Sequence, residues 1–126
     1  MSTIVIDLDG TLTIPGSGED YASLLPNEAV VTQLRRYAAM GYRIAVMTSR
    51  NMRTFENSIG RINAYTLPVA IDWLKKHEIP FDEIHVGKPW CGLAGFYVDD
   101  RAIRPSEFAK LEPEAIQALL DREAAE

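Results

Sequence analysis

Residues 3–11 read TIVIDLDGT and contain the first predicted strand together with the turn that follows it. Thr3 to Leu8 is apolar on both faces in its middle, the pattern of a central parallel strand covered by helices on each side. Asp9-Gly10 is a turn signal that ends the strand. Because Asp7 and Asp9 are two residues apart, their side chains are expected on the same face. Such carboxylates repel each other, which favours either a divalent cation nearby or two aspartates that cap a solvated turn.

Apolar runs that alternate with helical patterns continue along the chain. They predict, in chain order, a helix capped by Asn27 and ended by Gly41, strand Tyr42–Thr48, helix Leu67–His77 capped by Thr66, strand Glu83–Val86, strand Gly95–Val98 and helix Pro113–Ala124. This alternation predicts an α/β fold, a Rossmann-like three-layer sandwich around a central, mainly parallel sheet. Residues 1–126 are expected to form one domain.

Composition excludes several functions. The net charge of −5 argues against broad, non-specific binding to nucleic acid or to an anionic membrane. Cys91 is the single cysteine, so no intramolecular disulfide can form. No apolar run is long enough to cross a bilayer, and Met1 leads directly into a strand pattern without a leader. A soluble cytoplasmic protein is the expectation.

Polar residues follow each predicted strand at its carboxyl end, where ligands collect in parallel sheets. They are Asp7 and Asp9, Thr48 and Ser49, Lys88, and Asp99 with Asp100. If the first and last strands are neighbours, three or four carboxylates converge, which favours a metal site. The alternative for Asp99-Asp100 is an Asx turn or an ion pair with Arg101 or Arg104.

The motif DLDGT at residues 7–11, followed by Thr48, Lys88 and Asp99-Asp100 in this order, resembles the four-motif signature of haloacid dehalogenase-type phosphohydrolases. The resemblance covers the chain from Ile4 to about Arg104. It implies a phosphatase with the haloacid dehalogenase fold.

The resemblance also implies roles for single residues. Asp7 would attack phosphorus, Asp9 would serve as general acid and then general base, and Lys88 would orient Asp7 and offset negative charge. Mg²⁺ would be held by Asp7, the backbone carbonyl of Asp9 and Asp99, with support from Asp100; which of the adjacent aspartates is the direct ligand stays open. Residues expected to bind phosphate or substrate are Gly10, Thr11, Thr48, Ser49 and Arg50.

No large cap domain is expected, because Leu12 to Asn27 reads as a short loop and the interval from Ser49 to Phe81 holds about one helix that the core needs. Such an open site admits a large substrate or is closed by a second subunit, so a homo-oligomer is an open alternative. Arg50 and Arg53 are candidates to grip a second anionic group, or are surface charges. Trp90 is a candidate to stack on a sugar or base, or packs in the core.

Three functions are compatible with these residues. The stretch around Gly87–Gly92 and Asp99–Arg101 looks like small phosphatase-like proteins of surface-polysaccharide biosynthesis, which implies a phosphorylated sugar or related small metabolite as substrate. A second resemblance is to the phosphatase domain of polynucleotide kinase–phosphatases, carried by residues 40–44, Ser49-Arg50 and Asp99–Arg101. It implies a nucleic-acid end as substrate, which an open site would admit; the acidic net charge counts against it. The third is a metal- and phosphate-binding module without turnover.

Overall fold

The computed structural model describes residues 2–125, and the chain divides into two compact units, Met1–Trp90 and Cys91–Glu126. The first unit contains a three-stranded parallel sheet with the order β1-β2-β3, formed by β1 (Thr3–Asp7), β2 (Arg43–Met47) and β3 (Glu83–His85). The predicted α/β fold with a parallel sheet is thereby confirmed at this level. The first three predicted strands each extend one or two residues beyond the observed ones.

Register brings the carboxyl ends of the strands to one edge of the sheet. Asp7 pairs with Met47, and Met47 pairs with His85. Residues directly after these three positions therefore begin at the same level, as expected for parallel strands. The Thr48 amide donates to the His85 carbonyl at 2.9 Å, and the Lys88 amide donates to the Thr48 carbonyl at 3.1 Å, so the chain segments stay together beyond the strands.

Helix α1, Glu28–Ala39, follows β1 after a loop and leads into β2. Asn27 caps it as predicted, because its side-chain oxygen accepts from the Val30 amide at 3.4 Å. Gly41 follows the helix with φ of 98°, a conformation that glycine adopts without strain. Between β2 and β3 lie α2 (Ile59–Arg61), one wide helical turn (Ile62–Thr66) and α3 (Leu67–Lys76).

Thr66 does not cap a helix, contrary to the prediction. Its backbone is helical, and the run that begins at Ile59 passes through it into α3. The Thr66 hydroxyl instead donates to the Asn51 side-chain oxygen at 2.6 Å. Ser58 is the residue that caps this run, since its hydroxyl accepts from the Arg61 amide at 3.3 Å. The first two turns of this helical run were not predicted, because the polar sequence there shows no apolar periodicity.

The loop between β1 and α1 is closed at its base. Thr13 and Pro26 form an antiparallel bridge, and the Ile14 amide donates to the Leu25 carbonyl at 2.9 Å. We call residues 13–26 the flap. Its regular structure is one short 3₁₀ turn, Tyr21–Ser23, with Asp20 as the cap. The indole of Trp73 in α3 donates to the Leu24 carbonyl at 2.8 Å and so ties the flap to the helix.

The core of the first unit consists of apolar side chains from the turn after β1, from β2 and from the helices. The fully buried ones include Leu8, Leu12, Val30, Val31, Leu34, Ile44, Val46, Ile62, Trp73 and Leu74. Leu8 and Leu12 anchor both ends of the turn that carries Asp9 and Gly10, which holds that turn rigidly against the core.

The second unit contains two helices, α4 (Pro105–Lys110) and α5 (Pro113–Ala125). The predicted fourth strand, Gly95–Val98, is wrong: these residues are in no strand and are exposed. Aromatic and β-branched residues fit a pleated surface, but a strand also requires a neighbour to pair with. No helix in residues 2–125 is long and apolar enough to span a membrane.

Candidate active site

Asp7 ends β1 and contacts Lys88. The Lys88 ammonium donates to Asp7 Oδ1 at 3.4 Å, and both side chains are largely buried. Burial raises the pKa of the Asp7 carboxyl above its ordinary value; the Lys88 ammonium lowers it, and the nearby Asp9 charge raises it further. The net effect is a raised pKa, so the single ammonium does not fully compensate the cost of burying this carboxylate.

Lys88 reaches Asp7 because the chain turns sharply before it. Gly87 has φ of 86°. A Cβ at Gly87 would lie 2.7 Å from Cδ1 of Ile59, so a larger residue would displace that side chain. The hydrogen bond from the Lys88 amide to the Thr48 carbonyl then fixes where the lysine side chain begins.

Asp9 is bound by Arg50 through two hydrogen bonds. Arg50 Nε donates to Asp9 Oδ2 at 3.0 Å, and Arg50 Nη2 donates to Asp9 Oδ1 at 2.7 Å. Thr48 completes the arrangement: its hydroxyl lies 3.5 Å from Asp9 Oδ2 and accepts from the Arg50 amide at 2.9 Å. A planar guanidinium that binds both carboxylate oxygens fixes the orientation of the carboxylate as well as its position.

The Arg50 side chain is almost completely enclosed, with 1% of its surface exposed. The guanidinium carbon lies 4.1 Å from the centre of the Tyr21 ring, which is a cation–π contact from the flap. Arg50 Nη1 is buried and has no hydrogen-bond partner in the described residues. The residue predicted to bind a substrate anion thus directs two of its nitrogens to Asp9.

Gly10, Thr11 and Ser49 lie in the turns next to these side chains. Gly10 has φ of 83°, and its amide donates to the Thr13 hydroxyl at 3.2 Å. Thr11 and Ser49 are half-buried. The structure therefore brings together the predicted residues of the first three motifs within the first unit.

A cavity of about 670 Å³ opens beside Asp9, a volume typical of sites for small molecules. Its walls come from the turn after β1, the flap, the segment after β2 and Trp90. Arg53 is exposed in this wall. Aromatic surface is present in Trp90, 47% exposed, and Tyr21, 42% exposed. The cavity therefore offers three carboxylates, an exposed cation and two ring faces to a ligand; the carboxylates belong to Asp9, Glu19 and Asp20.

Asp99 and Asp100 belong to the second unit and are exposed. The Asp99 Oδ1 atom accepts from the Arg101 amide at 2.8 Å, which is an Asx turn. Within residues 2–125, no group of three or more His, Cys, Asp or Glu side chains is arranged to hold a metal ion. Of the two carboxylates at the carboxyl end of β1, that of Asp7 has the less compensated charge. Hard cations prefer such carboxylate oxygens as ligands.

The contact between Arg50 and Asp9 was not foreseen from the sequence, and neither was that between Tyr21 and Arg50. These residues are far apart in the chain and belong to no shared periodic pattern. One signal that could have indicated the Arg50–Asp9 contact was the position of Arg50 close to the predicted strand end at Thr48, level with Asp9, because a buried arginine is nearly always paired.

Comparison with known proteins adds one relative and one similarity of fold. The crystal structure of an MCSG target from Vibrio cholerae is 52% identical in sequence, with a TM-score of 0.94, over 98% of this chain and 99% of that one. This chain belongs to the same family as that Vibrio cholerae protein. A chain in the structure of a Pnkp1/Rnl/Hen1 complex shares 22% identity and a TM-score of 0.53 over 86% of this chain and 34% of its own length, which is a likeness of fold. No family model and no curated protein matches the chain.

Proposed function

We propose that this chain is a magnesium-dependent phosphomonoester hydrolase of the haloacid dehalogenase type, with Asp7 as the nucleophile. The observation that supports this most is the different bonding of two neighbouring carboxylates at the carboxyl end of β1. Asp7 is partly buried and contacts one lysine ammonium, whereas Asp9, exposed to a similar extent, is oriented by a bidentate guanidinium. Two carboxylates in unlike environments suit unlike roles in one reaction.

Asp7 would attack the phosphorus atom of a phosphomonoester. An Asp7 oxygen forms the new bond to phosphorus while the bond to the ester oxygen breaks, which leaves an aspartyl-phosphate and an alkoxide that takes up a proton. Water then attacks the phosphorus, the bond to Asp7 breaks, and inorganic phosphate leaves. The Lys88 ammonium, 3.4 Å from Asp7, orients the nucleophile and offsets the negative charge of the phosphoryl group.

Asp9 would give the proton to the leaving oxygen and take one from the attacking water. Both of its oxygens accept from Arg50 in the structure. Proton donation therefore requires the carboxylate to exchange one of these bonds for the substrate oxygen. Thr48, whose hydroxyl lies 3.5 Å from Asp9 Oδ2, would bind a phosphoryl oxygen.

Mg²⁺, when bound, would supply charge stabilisation for the transferring phosphoryl group. Asp7 and the Asp9 backbone carbonyl are the proposed ligands in the first unit. Magnesium commonly uses one or two carboxylates and completes its shell with water and substrate oxygens.

The proposed substrate is a phosphorylated sugar or a related small metabolite. The cavity volume of about 670 Å³ suits a small molecule, and Arg53 and Trp90 could contact a second anion and a ring. The net charge of −5 disfavours a nucleic-acid end.

The test is phosphate release with Mg²⁺ across sugar phosphates, nucleotides and 3′-phosphorylated oligonucleotides, with Asp7→Asn as the matched variant. Release from sugar phosphates that is lost in Asp7→Asn and on chelation would support the proposal. Release of phosphate from oligonucleotides alone would show that the substrate is a nucleic-acid end and not a phosphorylated sugar. A folded protein that binds Mg²⁺ and phosphate without releasing phosphate from any substrate would favour the non-catalytic module.

A further inference from the structure

One face of the sheet is covered over β2 and open over β1. Val5 and Ala45 are register partners in neighbouring parallel strands, so their side chains lie on the same face. Ala45 is 3% exposed, whereas Val5 is 60% exposed. The sequence of β1 has apolar residues on both faces, which is the pattern of a strand covered on both sides. Among residues 2–125, this face of the sheet is therefore left uncovered at Val5.

The outer edge of β1 is also open. Within residues 2–125, β1 pairs with β2, and β2 separates it from β3, which makes β1 an edge strand. A short apolar edge strand without charged residues in its middle is a template for pairing with another strand. Ile4, Val5 and Ile6 carry no charge and no proline that would prevent this.

The second unit contains an apolar segment of matching chemistry. Phe96 is 78% exposed and Val98 is 88% exposed, and the preceding Leu93 is 94% exposed. Residues 95–98 have the composition of a strand but form none. Among the described residues of the second unit, Ile116 is the hydrophobic side chain that is buried. A unit of this size, below about 40 residues, ordinarily needs a further surface to be stable.

We propose that residues 95–98 of a second copy of this chain add to the edge of β1 as a parallel fourth strand, and that the two copies do so reciprocally. The open edge and the apolar segment occur in the same chain, each exposed, so two copies satisfy both by exchanging identical elements. Such an exchange closes with two-fold symmetry, because each copy gives one segment and receives one. It also places apolar surface from the partner next to Val5.

Parallel addition has a consequence for the active site, and this part rests on the proposed function. A strand parallel to β1 ends at the same edge of the sheet as Asp7. The residues after Val98 would then bring the partner subunit's Asp99 and the partner subunit's Asp100 to Asp7 and Asp9. Each site would contain the nucleophile of one copy and a metal ligand of the other.

The first experiment measures molar mass by sedimentation equilibrium for the wild-type chain, Val98→Lys and Met40→Lys. Met40 is 53% exposed at the end of α1 and provides a matched control with the same charge change. We expect a wild-type dimer, an unaffected Met40→Lys dimer, and at least a tenfold weaker association for Val98→Lys, because a charge would enter an apolar strand pair. A wild-type monomer at 100 µM, about the upper end of ordinary assay concentrations, or a dimer unaffected by Val98→Lys, overturns the proposal.

The second experiment combines two inactive chains by co-expression with different affinity tags: Asp7→Asn, and the double variant Asp99→Asn/Asp100→Asn. If the site is shared, each mixed dimer holds one intact and one doubly altered site. Random mixing makes about half of the dimers mixed, so the preparation should recover about a quarter of wild-type activity. No recovery, with an active wild type, overturns the exchange.

The two experiments separate the two proposals. If the wild type releases no phosphate, yet its dimer is broken by Val98→Lys and not by Met40→Lys, the function is refuted and the exchange stands. If the wild type is an active monomer, the function stands and the exchange is refuted.

Discussion

On the Lys88 side of the site, the Asp7 carboxylate meets one ammonium at 3.4 Å; on the Arg50 side, Asp9 is held by two guanidinium nitrogens at 2.7 and 3.0 Å. The two residues are neighbours in sequence and share an edge of the sheet, but their partners differ in geometry. A lysine acts as a movable point charge, whereas an arginine imposes a plane. Asp7 therefore keeps freedom to move and react, while Asp9 is held in one orientation.

The largest loss of activity is expected from a substitution at Asp7. Asp7→Asn should reduce phosphate release to the level of a blank without enzyme, because an amide oxygen is a poor nucleophile towards phosphorus. Circular dichroism should show an unchanged fold. Turnover close to wild type in this variant would refute Asp7 as the nucleophile.

Removing the proton carrier is expected to have the next largest effect. Asp9→Asn should slow turnover by about 10²–10⁴-fold, the usual contribution of general acid–base catalysis. The loss should be greatest for alkyl phosphates, whose leaving oxygen needs a proton, and smaller for p-nitrophenyl phosphate. Equal losses on both substrates would contradict the acid role.

A substitution at Arg50 tests whether the bidentate geometry of its contact with Asp9 matters in addition to its charge. Arg50→Lys keeps the charge and loses the bidentate contact, so Asp9 should lose its orientation and kcat should fall by about 10–100-fold, with little change in KM. The matched control is Arg43→Lys, an exposed arginine at the first residue of β2 and outside the cavity lining, which should leave kcat unchanged.

A double variant distinguishes an indirect role from substrate binding. If Arg50 acts through Asp9, adding Arg50→Lys to Asp9→Asn should cost little more than Asp9→Asn alone. If Arg50 instead binds a substrate anion, KM should rise in both backgrounds. A rise in KM would therefore support the binding of a substrate anion by Arg50, which the sequence suggested.

The smallest effect is one of stability. Burial raises the folded-state pKa of Asp7 above 3.8, so the folded protein holds this proton more tightly than the unfolded chain does. The stabilising contribution of the protonated group is complete below the unfolded pKa and is lost as pH rises through the folded pKa. Asp7→Asn should therefore raise the Tm of the metal-free protein by a few degrees at pH 7 and leave it unchanged near pH 3.5. Thermal melts in chelator at both pH values measure this; a lower Tm at pH 7 would contradict it.

Sequence patterns predicted the central part of the site because strand ends are local signals. The apolar runs before Asp7 and Thr48 indicated buried strands, and parallel register then brought their ends together. The pair between Arg50 and Asp9 could not be predicted, because it depends on how two turns face each other across the sheet edge. Residues 95–98 illustrate the opposite error: their composition suits a strand, but pairing depends on a neighbour that composition does not describe.

The positions of the two tryptophans give the protein a pair of internal optical probes. Trp73 is 2% exposed and bonded to the flap, whereas Trp90 is 47% exposed at the cavity wall. Acrylamide should quench the emission of Trp90 and largely spare that of Trp73, so the quenchable fraction reports on the cavity and the protected fraction on the flap. Titrating a sugar phosphate against each fraction would follow ligand entry and loop movement separately, in unmodified protein and without a turnover assay.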